Sequence, residues 1–91
     1  MRVLIADDQP QVRSALRLLL KQEPGVAVVG EAENVEEALE LATARRPDLV
    51  LLDWELPGLR AADLSKKAKL GLLPALRARC PRVKVVALSG R

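Results

Sequence analysis

Two short apolar segments of this 91-residue chain end in aspartates, and this pattern constrains the fold more than any other feature. Residues 3–6 precede Asp7 and Asp8, and residues 49–52 precede Asp53. If the two segments are neighbouring parallel strands, all three carboxylates meet at one edge of one sheet. Three acids at one point repel one another unless a cation or a shared proton neutralises them. The pattern therefore predicts a site at that edge.

Strand-like and helix-like segments alternate along the chain. Short apolar runs predict buried strands, and they cover residues 2–6, 26–29, 49–52 and 83–88. Apolar side chains at helical spacing predict helices over 10–22 and about 35–46. Strands that alternate with helices indicate βαβ units and a parallel sheet, and right-handed crossovers place helices on both of its faces. We therefore predict an α/β fold with an open parallel sheet.

Local signals predict where these elements begin and end. Pro24 and Gly25 end the first helix, and Gly30 closes the second strand. Asn34 is a suitable N-cap for the second helix, because its side-chain oxygen can accept a hydrogen bond from a backbone N–H of the first turn. The apolar face predicted for the first helix consists of Val12, Leu16, Leu19 and Leu20.

The connection between the third and fourth strands, residues 54–82, is long for a single crossover. Apolar residues at four-residue spacing favour a helix there, but Gly71 and Pro74 argue for a break. We therefore predict two helical pieces, at about 60–70 and at about 72–80, the second with Pro74 in its first turn.

The composition excludes several classes of function. Histidine is absent, which removes the commonest general base and the commonest zinc ligand, whereas the carboxylates favour hard cations such as Mg²⁺. The single cysteine, Cys80, cannot form an internal disulfide, and we expect an inert thiol in a reducing compartment. No apolar run reaches the roughly 18 residues that span a membrane, and no signal peptide is evident. We expect a cytoplasmic protein without a membrane partner.

The net charge of +3 raises the question of nucleic-acid binding. The arginines are scattered along the sequence, and no aromatic side chains accompany them to stack on bases. Solvated helix faces explain them better, so we expect no direct contact with nucleic acid by this chain. The arginines interpreted in this way are Arg13, Arg17, Arg45, Arg46, Arg77, Arg79 and Arg82.

Several motifs recur in a fixed order along the chain. They are VLIADD at 3–8, VVGEA at 28–32, LVLLD at 49–53, LPG at 56–58 and VVALSG at 85–90. In this order and spacing they resemble the receiver domain of bacterial two-component response regulators. The resemblance implies a flavodoxin-like open parallel sheet with strand order 2-1-3-4, in a partial receiver domain that covers residues 1–91.

The resemblance implies a role for each acidic residue. Asp53 would accept a phosphoryl group, as a carboxylate can when it attacks phosphorus. Asp53 and Asp8 would bind Mg²⁺ directly, Asp7 would bind it largely through water, and the backbone carbonyl of Glu55 would complete the protein's share of the metal shell. Phosphoryl transfer needs little else than positioning and neutralisation of charge.

The resemblance also implies the rest of the site and the partner. Ser89 would hydrogen-bond the phosphoryl group, and the turn at Pro57 and Gly58 would shape the loop beneath the site. The phosphoryl group would come from a sensor histidine kinase. The chain would thus be a phosphoacceptor that assists its own phosphorylation, rather than an enzyme.

The chain departs from the family's pattern after the fourth strand. The fifth strand with its lysine, the last helices and an output domain do not appear before Arg91, and Lys84 lies inside the fourth strand, where it cannot replace that lysine. The fourth strand would then be an exposed edge, so we expect a homodimer or an element-swapped dimer through it. The alternative is a longer regulator whose remainder lies outside this chain. Residues 60–69 lengthen the third crossover, with no assigned role.

Two other functions stay open at this point. The missing lysine would suit a phosphate-independent module that keeps the receiver architecture as an interaction surface. A small phosphatase could use Asp53 as nucleophile, but such an enzyme is expected to carry an aspartate as acid and base two residues later, where this chain has Glu55.

Overall fold

The computed structural model describes residues 1–53, 55–56 and 74–88. Strands and helices alternate in it, in the order β1 Arg2–Ala6, α1 Pro10–Lys21, β2 Ala27–Ala32, α2 Val35–Arg45, β3 Leu49–Asp53 and β4 Lys84–Leu88. Residues 74–79 are also helical. The strand order is β2-β1-β3-β4, and all neighbouring strands are parallel. The predicted flavodoxin-like α/β fold is confirmed.

The register of β1 against β3 sets the position of the acidic residues. Ala6 is the partner of Leu52, so the residues that follow, Asp7 and Asp53, leave the sheet side by side. On the other side of β3, Asp53 is the partner of Leu88 at the end of β4. Because the strands are parallel, these residues all lie at the carboxyl edge of the sheet.

One face of the sheet packs against α2 and the helical residues 74–79. Two alanines on α2 are fully buried, which lets the helix approach the sheet closely. The thiol of Cys80 is buried in the same layer and donates a hydrogen bond to the carbonyl of Ala42 at 3.4 Å. The buried residues of this core are Leu4, Ala6, Ala32, Ala38, Ala42, Val50, Leu52, Leu56, Leu76, Cys80 and Val83.

The helix α1 packs less completely, against β1 and β2. Val3 and Ile5 are fully buried at the β1 positions that alternate with the core residues, so they face the opposite side of the sheet. Of the residues of α1, all of them described, none is buried. The prediction that Leu19 points inward is wrong, since it is 62% exposed, next to Leu18 at 63%. Among the described elements α1 contacts only β1 and β2, so few of its side chains are covered by the sheet.

The sequence predicted that the second strand closes at Gly30, and this prediction is wrong. The strand β2 continues through Gly30 for two more residues, to Ala32. Leu4 is the partner of Gly30, and a register shift just before this pair marks a β-bulge. A Cβ on Gly30 would lie 3.2 Å from Leu4 Cδ1 and 3.3 Å from Leu41 Cδ1. The glycine therefore permits close packing instead of ending the strand. The extension carries Glu31 to the same edge as the aspartates.

The helix α2 is capped at both ends. Asn34 Oδ1 accepts a hydrogen bond from the backbone N–H of Glu37 at 2.9 Å, which confirms the predicted N-cap. Glu37 Oε1 in turn accepts from the backbone N–H of Glu33 at 2.8 Å. At the other end Arg46 adopts a left-handed conformation, with φ of 46°, and its N–H donates to the carbonyl of Ala42. These bonds satisfy backbone groups that a helix leaves without partners at its ends.

Several predictions fall on residues outside the described ones. They concern Trp54, Pro57, Gly58, the helical piece at about 60–70, the beginning of the piece at about 72–80, and Ser89. The described end of the second piece, residues 74–79, is helical as predicted. Among the helices that the structure describes, none has the length and apolar character of a membrane span.

The contrast between the buried Leu4 and the exposed Leu19 can be tested by substitution. We expect Leu4→Ala to lower the free energy of unfolding by about 2–5 kcal/mol, because it leaves a cavity in the core. Leu19→Ala should change it by less than about 0.5 kcal/mol, because that side chain is mostly in water. Urea unfolding followed by circular dichroism measures both, and a similar loss in the two variants would contradict the packing of α1.

Candidate metal centre

Three carboxylates converge at the carboxyl edge of the sheet. One carboxylate oxygen from each of Asp7, Asp8 and Asp53 lies within 4.8 Å of the other two. Asp7 and Asp53 are only 5% and 3% exposed, whereas Asp8 is partly exposed. This cluster, called the acidic pocket below, is therefore buried at Asp7 and Asp53 and reaches solvent at Asp8.

The loop between β1 and α1 fixes Asp7 through its backbone and its side chain. The N–H of Asp7 donates to the carbonyl of Ala32 at 2.9 Å, which extends the pairing of β1 with β2 by one residue. Asp7 Oδ1 accepts from the backbone N–H of Gln9 at 2.8 Å, a local turn that short acidic side chains favour. Pro10 then begins α1 at a position where its missing N–H costs no hydrogen bond.

The loop after β3 holds Asp53 in a comparable way. Asp53 Oδ1 accepts from the backbone N–H of Glu55 at 3.0 Å, and the Asp53 carbonyl accepts from the N–H of Leu56 at 3.0 Å. Leu56 is fully buried in the core beneath the loop. The side chain of Asp53 is thus oriented by the turn that follows it, and this turn is anchored by an apolar residue.

The charge of this cluster calls for a cation. Two ionised carboxylates about 4 Å apart repel by roughly 4 kcal/mol at an effective dielectric constant of about 20. The donor set consists of carboxylate oxygens, which suit hard cations such as Mg²⁺ better than soft metals. One or two carboxylates with water and phosphate oxygens are the usual shell of Mg²⁺ in proteins. The residues present therefore fit this ion.

Arg13 is a site-adjacent residue that the sequence analysis missed. Its side chain is 13% exposed, so the prediction of a solvated helix face is wrong for this arginine. Arg13 Nη1 donates to the backbone carbonyl of Asp7 at 2.7 Å, and Arg13 Nε pairs with Glu31 Oε1 at 3.2 Å. The position of Arg13 shortly after the aspartate pair was the one signal in the sequence for this contact. Its partner Glu31 could not be predicted, because the predicted second strand ended before residue 31.

The structure brings together part of the predicted site. Asp7, Asp8 and Asp53 form the cluster, as their positions at the ends of adjacent strands predicted. Glu55 is described and its N–H binds Asp53, but a metal-binding role of its carbonyl stays a prediction. The remaining predicted residues lie outside the described ones, and they are Pro57, Gly58 and Ser89.

Comparison with known proteins gives one consistent family. Residues 3–91 match the family model of the response regulator receiver domain. The nitrate/nitrite response regulator protein NarL of Escherichia coli K12 is 39% identical over 67 residues, which are 74% of this chain and 31% of NarL. The response regulator GacA of Pseudomonas viridiflava is 36% identical over 88 residues, which are 97% of this chain and 37% of GacA.

A solved structure gives the same match. A two-component response regulator of the LuxR family from Aurantimonas sp. SI85-9A1 superposes with a TM-score of 0.79 at 29% identity. The match covers 99% of this chain and 59% of that chain. The chain spans about a third of the length of the curated relatives it matches.

If the cluster binds a metal ion, Mg²⁺ should reverse the order of stability of the wild type and the variant Asp8→Asn. Without divalent cations, Asp8→Asn should be at least as stable as the wild type, because it removes one of three mutually repelling charges. With Mg²⁺ at about 100 times its dissociation constant, the wild type should gain about 2.7 kcal/mol and the variant much less. Thermal unfolding with and without Mg²⁺ measures the difference.

Asp48→Asn is the matched control, because Asp48 is exposed at the opposite end of β3 and an asparagine oxygen can still accept from the N–H of Arg2. This variant should respond to Mg²⁺ like the wild type. An equal response in Asp8→Asn would contradict a metal centre that depends on Asp8.

Proposed function

Because this chain belongs to the response regulator receiver domain family, we propose that it accepts a phosphoryl group on Asp53 with Mg²⁺ as cofactor. The observation that carries the proposal is the convergence of Asp53 with Asp7 and Asp8 at one edge of the sheet. An ordinary strand end or helix cap has no need of three carboxylates at one point.

The described residues are suited to this chemistry. A carboxylate oxygen of Asp53 forms a bond to phosphorus while the bond between phosphorus and the leaving atom of the donor breaks. The hydrogen bond from the N–H of Glu55 orients the Asp53 carboxylate, and its burial keeps most water away from the resulting acyl phosphate. Asp7 and Asp8 would hold the cation. When bound, Mg²⁺ supplies the positive charge that brings two anionic groups together.

The remaining roles follow from the resemblance. Ser89 would hydrogen-bond the phosphoryl group, and the pairing of Asp53 with Leu88, the residue before Ser89, supports this role. The backbone carbonyl of Glu55 would ligate the metal, and Pro57 with Gly58 would shape the loop.

The proposed donor is a sensor histidine kinase, as expected for a receiver in two-component signalling. Residues 1–91 would act in the cytoplasm as a receiver portion that is modified once per signalling event, and not as an enzyme that turns over a substrate. NarL and GacA are response regulators of which this chain covers about a third, so we propose for this chain only the role of a receiver portion. We propose no direct contact of this portion with nucleic acid.

A second copy of the chain is the proposed partner of β4. In the described part of the sheet β4 is the outermost strand, and Val86 on it is 45% exposed. An apolar edge strand with backbone groups available for pairing favours association with another strand. A two-fold pair would join β4 to the same strand of the second copy.

Phosphorylation is tested with acetyl phosphate and Mg²⁺ by intact-mass spectrometry. The wild type and Asp48→Asn should each gain the mass of one phosphoryl group, and Asp53→Asn should gain none, because an amide cannot form the acyl phosphate. Beryllofluoride, followed through the fluorescence of Trp54, gives an independent reading next to the acceptor residue.

The same experiment separates the alternatives. No label on the wild type at millimolar donor would favour the phosphate-independent interaction module. Steady release of phosphate from a generic phosphomonoester, lost in Asp53→Asn, would favour the phosphatase.

Association through β4 is tested by sedimentation of Val86→Lys at micromolar concentrations. Lysine on an edge strand opposes pairing, so this variant should shift from dimer to monomer. Leu18→Lys is the matched control, because Leu18 is an exposed apolar residue on α1, 63% against 45% for Val86, and its replacement should leave the dimer unchanged. A wild type that stays monomeric throughout would contradict the proposal.

A further inference from the structure

An ion-pair network joins α1 to the segment after β1 and to the end of β2, next to the acidic pocket. Arg13 lies at its centre: Nη1 donates to the Asp7 carbonyl at 2.7 Å, Nε pairs with Glu31 at 3.2 Å, and Nη2 pairs with Glu33 at 3.5 Å. Arg17 pairs with the second oxygen of Glu31 at 2.7 Å. One guanidinium thus binds acceptors from two separate segments of the chain.

The geometry of Arg13 is one that a lysine cannot reproduce. A guanidinium has five N–H donors in a rigid planar fork, so it can bind a carbonyl and two carboxylates at once. Glu31 and Glu33 orient this fork through Nε and Nη2, and Nη1 reaches the backbone carbonyl of Asp7. Arg13 therefore acts on the position of the Asp7 backbone, and not on the carboxylate of the Asp7 side chain.

Asp7 is consequently held on both sides of its backbone. Its N–H donates to the Ala32 carbonyl at 2.9 Å, and its C=O accepts from Arg13. Asp8 follows directly, so the same peptide bond that Arg13 holds sets the direction in which Asp8 leaves β1. We propose that Arg13 is a positioning residue that keeps the Asp7–Asp8 segment in the arrangement that binds the cation.

The sign of the expected effect separates positioning from simple electrostatics. Arg13 and Arg17 carry two positive charges, and Glu31 and Glu33 carry two negative ones, so the network is neutral as a whole. If the charge of Arg13 alone mattered, its removal would lower repulsion and strengthen the binding of a cation. If Arg13 positions the aspartates, its removal weakens binding, because partners of this kind orient the ligands of a metal.

The inference rests on the proposed function for the identity of the cation, and the first measurement is the dissociation constant of Mg²⁺ by titration calorimetry. Arg13→Gln should raise it roughly tenfold, at the lower end of the effect that residues holding metal ligands in place have on metal affinity. Arg13→Lys, which keeps the positive charge and a single donor nitrogen, should give a smaller increase. Arg17→Gln is the control: it also removes one positive charge that pairs with Glu31, but Arg17 makes no bond to the Asp7 carbonyl in the network described above. This variant should leave the dissociation constant unchanged.

The second measurement needs no metal. Hydrogen exchange of the backbone amides of Asp8 and Gln9 should be faster in Arg13→Gln than in Arg17→Gln and the wild type, because the Asp7 carbonyl has lost this donor. Should Arg13→Gln fail to fold, Arg13→Lys takes its place in both measurements.

The outcomes distinguish the two proposals. Weaker Mg²⁺ binding and faster exchange in the Arg13 variants alone support a positioning role. A wild type that binds Mg²⁺ while Arg13→Gln binds it equally or more tightly overturns this role and leaves the proposed function intact. A wild type that binds no Mg²⁺ contradicts the proposed function, and the exchange rates then decide alone: unchanged rates overturn the inference.

Discussion

The parallel pairing of β1 with β3 is the constraint on which the site depends. Its register makes Ala6 the partner of Leu52, and so the residues that follow leave the sheet together, as Asp7 and Asp53. Residues 3–6 of β1 and Val50 and Leu52 of β3 are buried, and a slip of the register by one residue would move every side chain of the slipped strand to the opposite face of the sheet. The hydrophobic core thereby fixes the distance between the acidic side chains.

Bringing three carboxylates together opposes folding, and the surrounding structure offsets this repulsion. Backbone N–H groups bind Asp7 and Asp53 from the turns that follow them, and Leu56 anchors one of these turns in the core. A cation bound between the carboxylates would lower this repulsion and would thereby stabilise the folded chain. Stability and cation binding would then be coupled through the same residues.

The first helix is fastened to the sheet in a different way from the second. The helix α2 buries Ala38 and Ala42 in the core and is capped at both ends. The helix α1, all of it described, buries no residue, but its arginines pair with Glu31 at the end of β2. Polar contacts thus do for α1 part of what apolar burial does for α2. Because one of these contacts ends on the Asp7 backbone, the placement of α1 is linked to the acidic pocket.

The sequence by itself determined the alternation of strands and helices, the N-cap at Asn34 and the meeting of the three aspartates, because apolar periodicity and local hydrogen bonding act over a few residues. It also carried the family motifs. Only the tertiary structure decided that β2 runs past Gly30, that Leu19 is exposed and that Arg13 binds the backbone of Asp7. These features depend on residues brought in from distant segments, such as Leu41 against Gly30 and Glu31 against Arg13, and no local pattern encodes such neighbours.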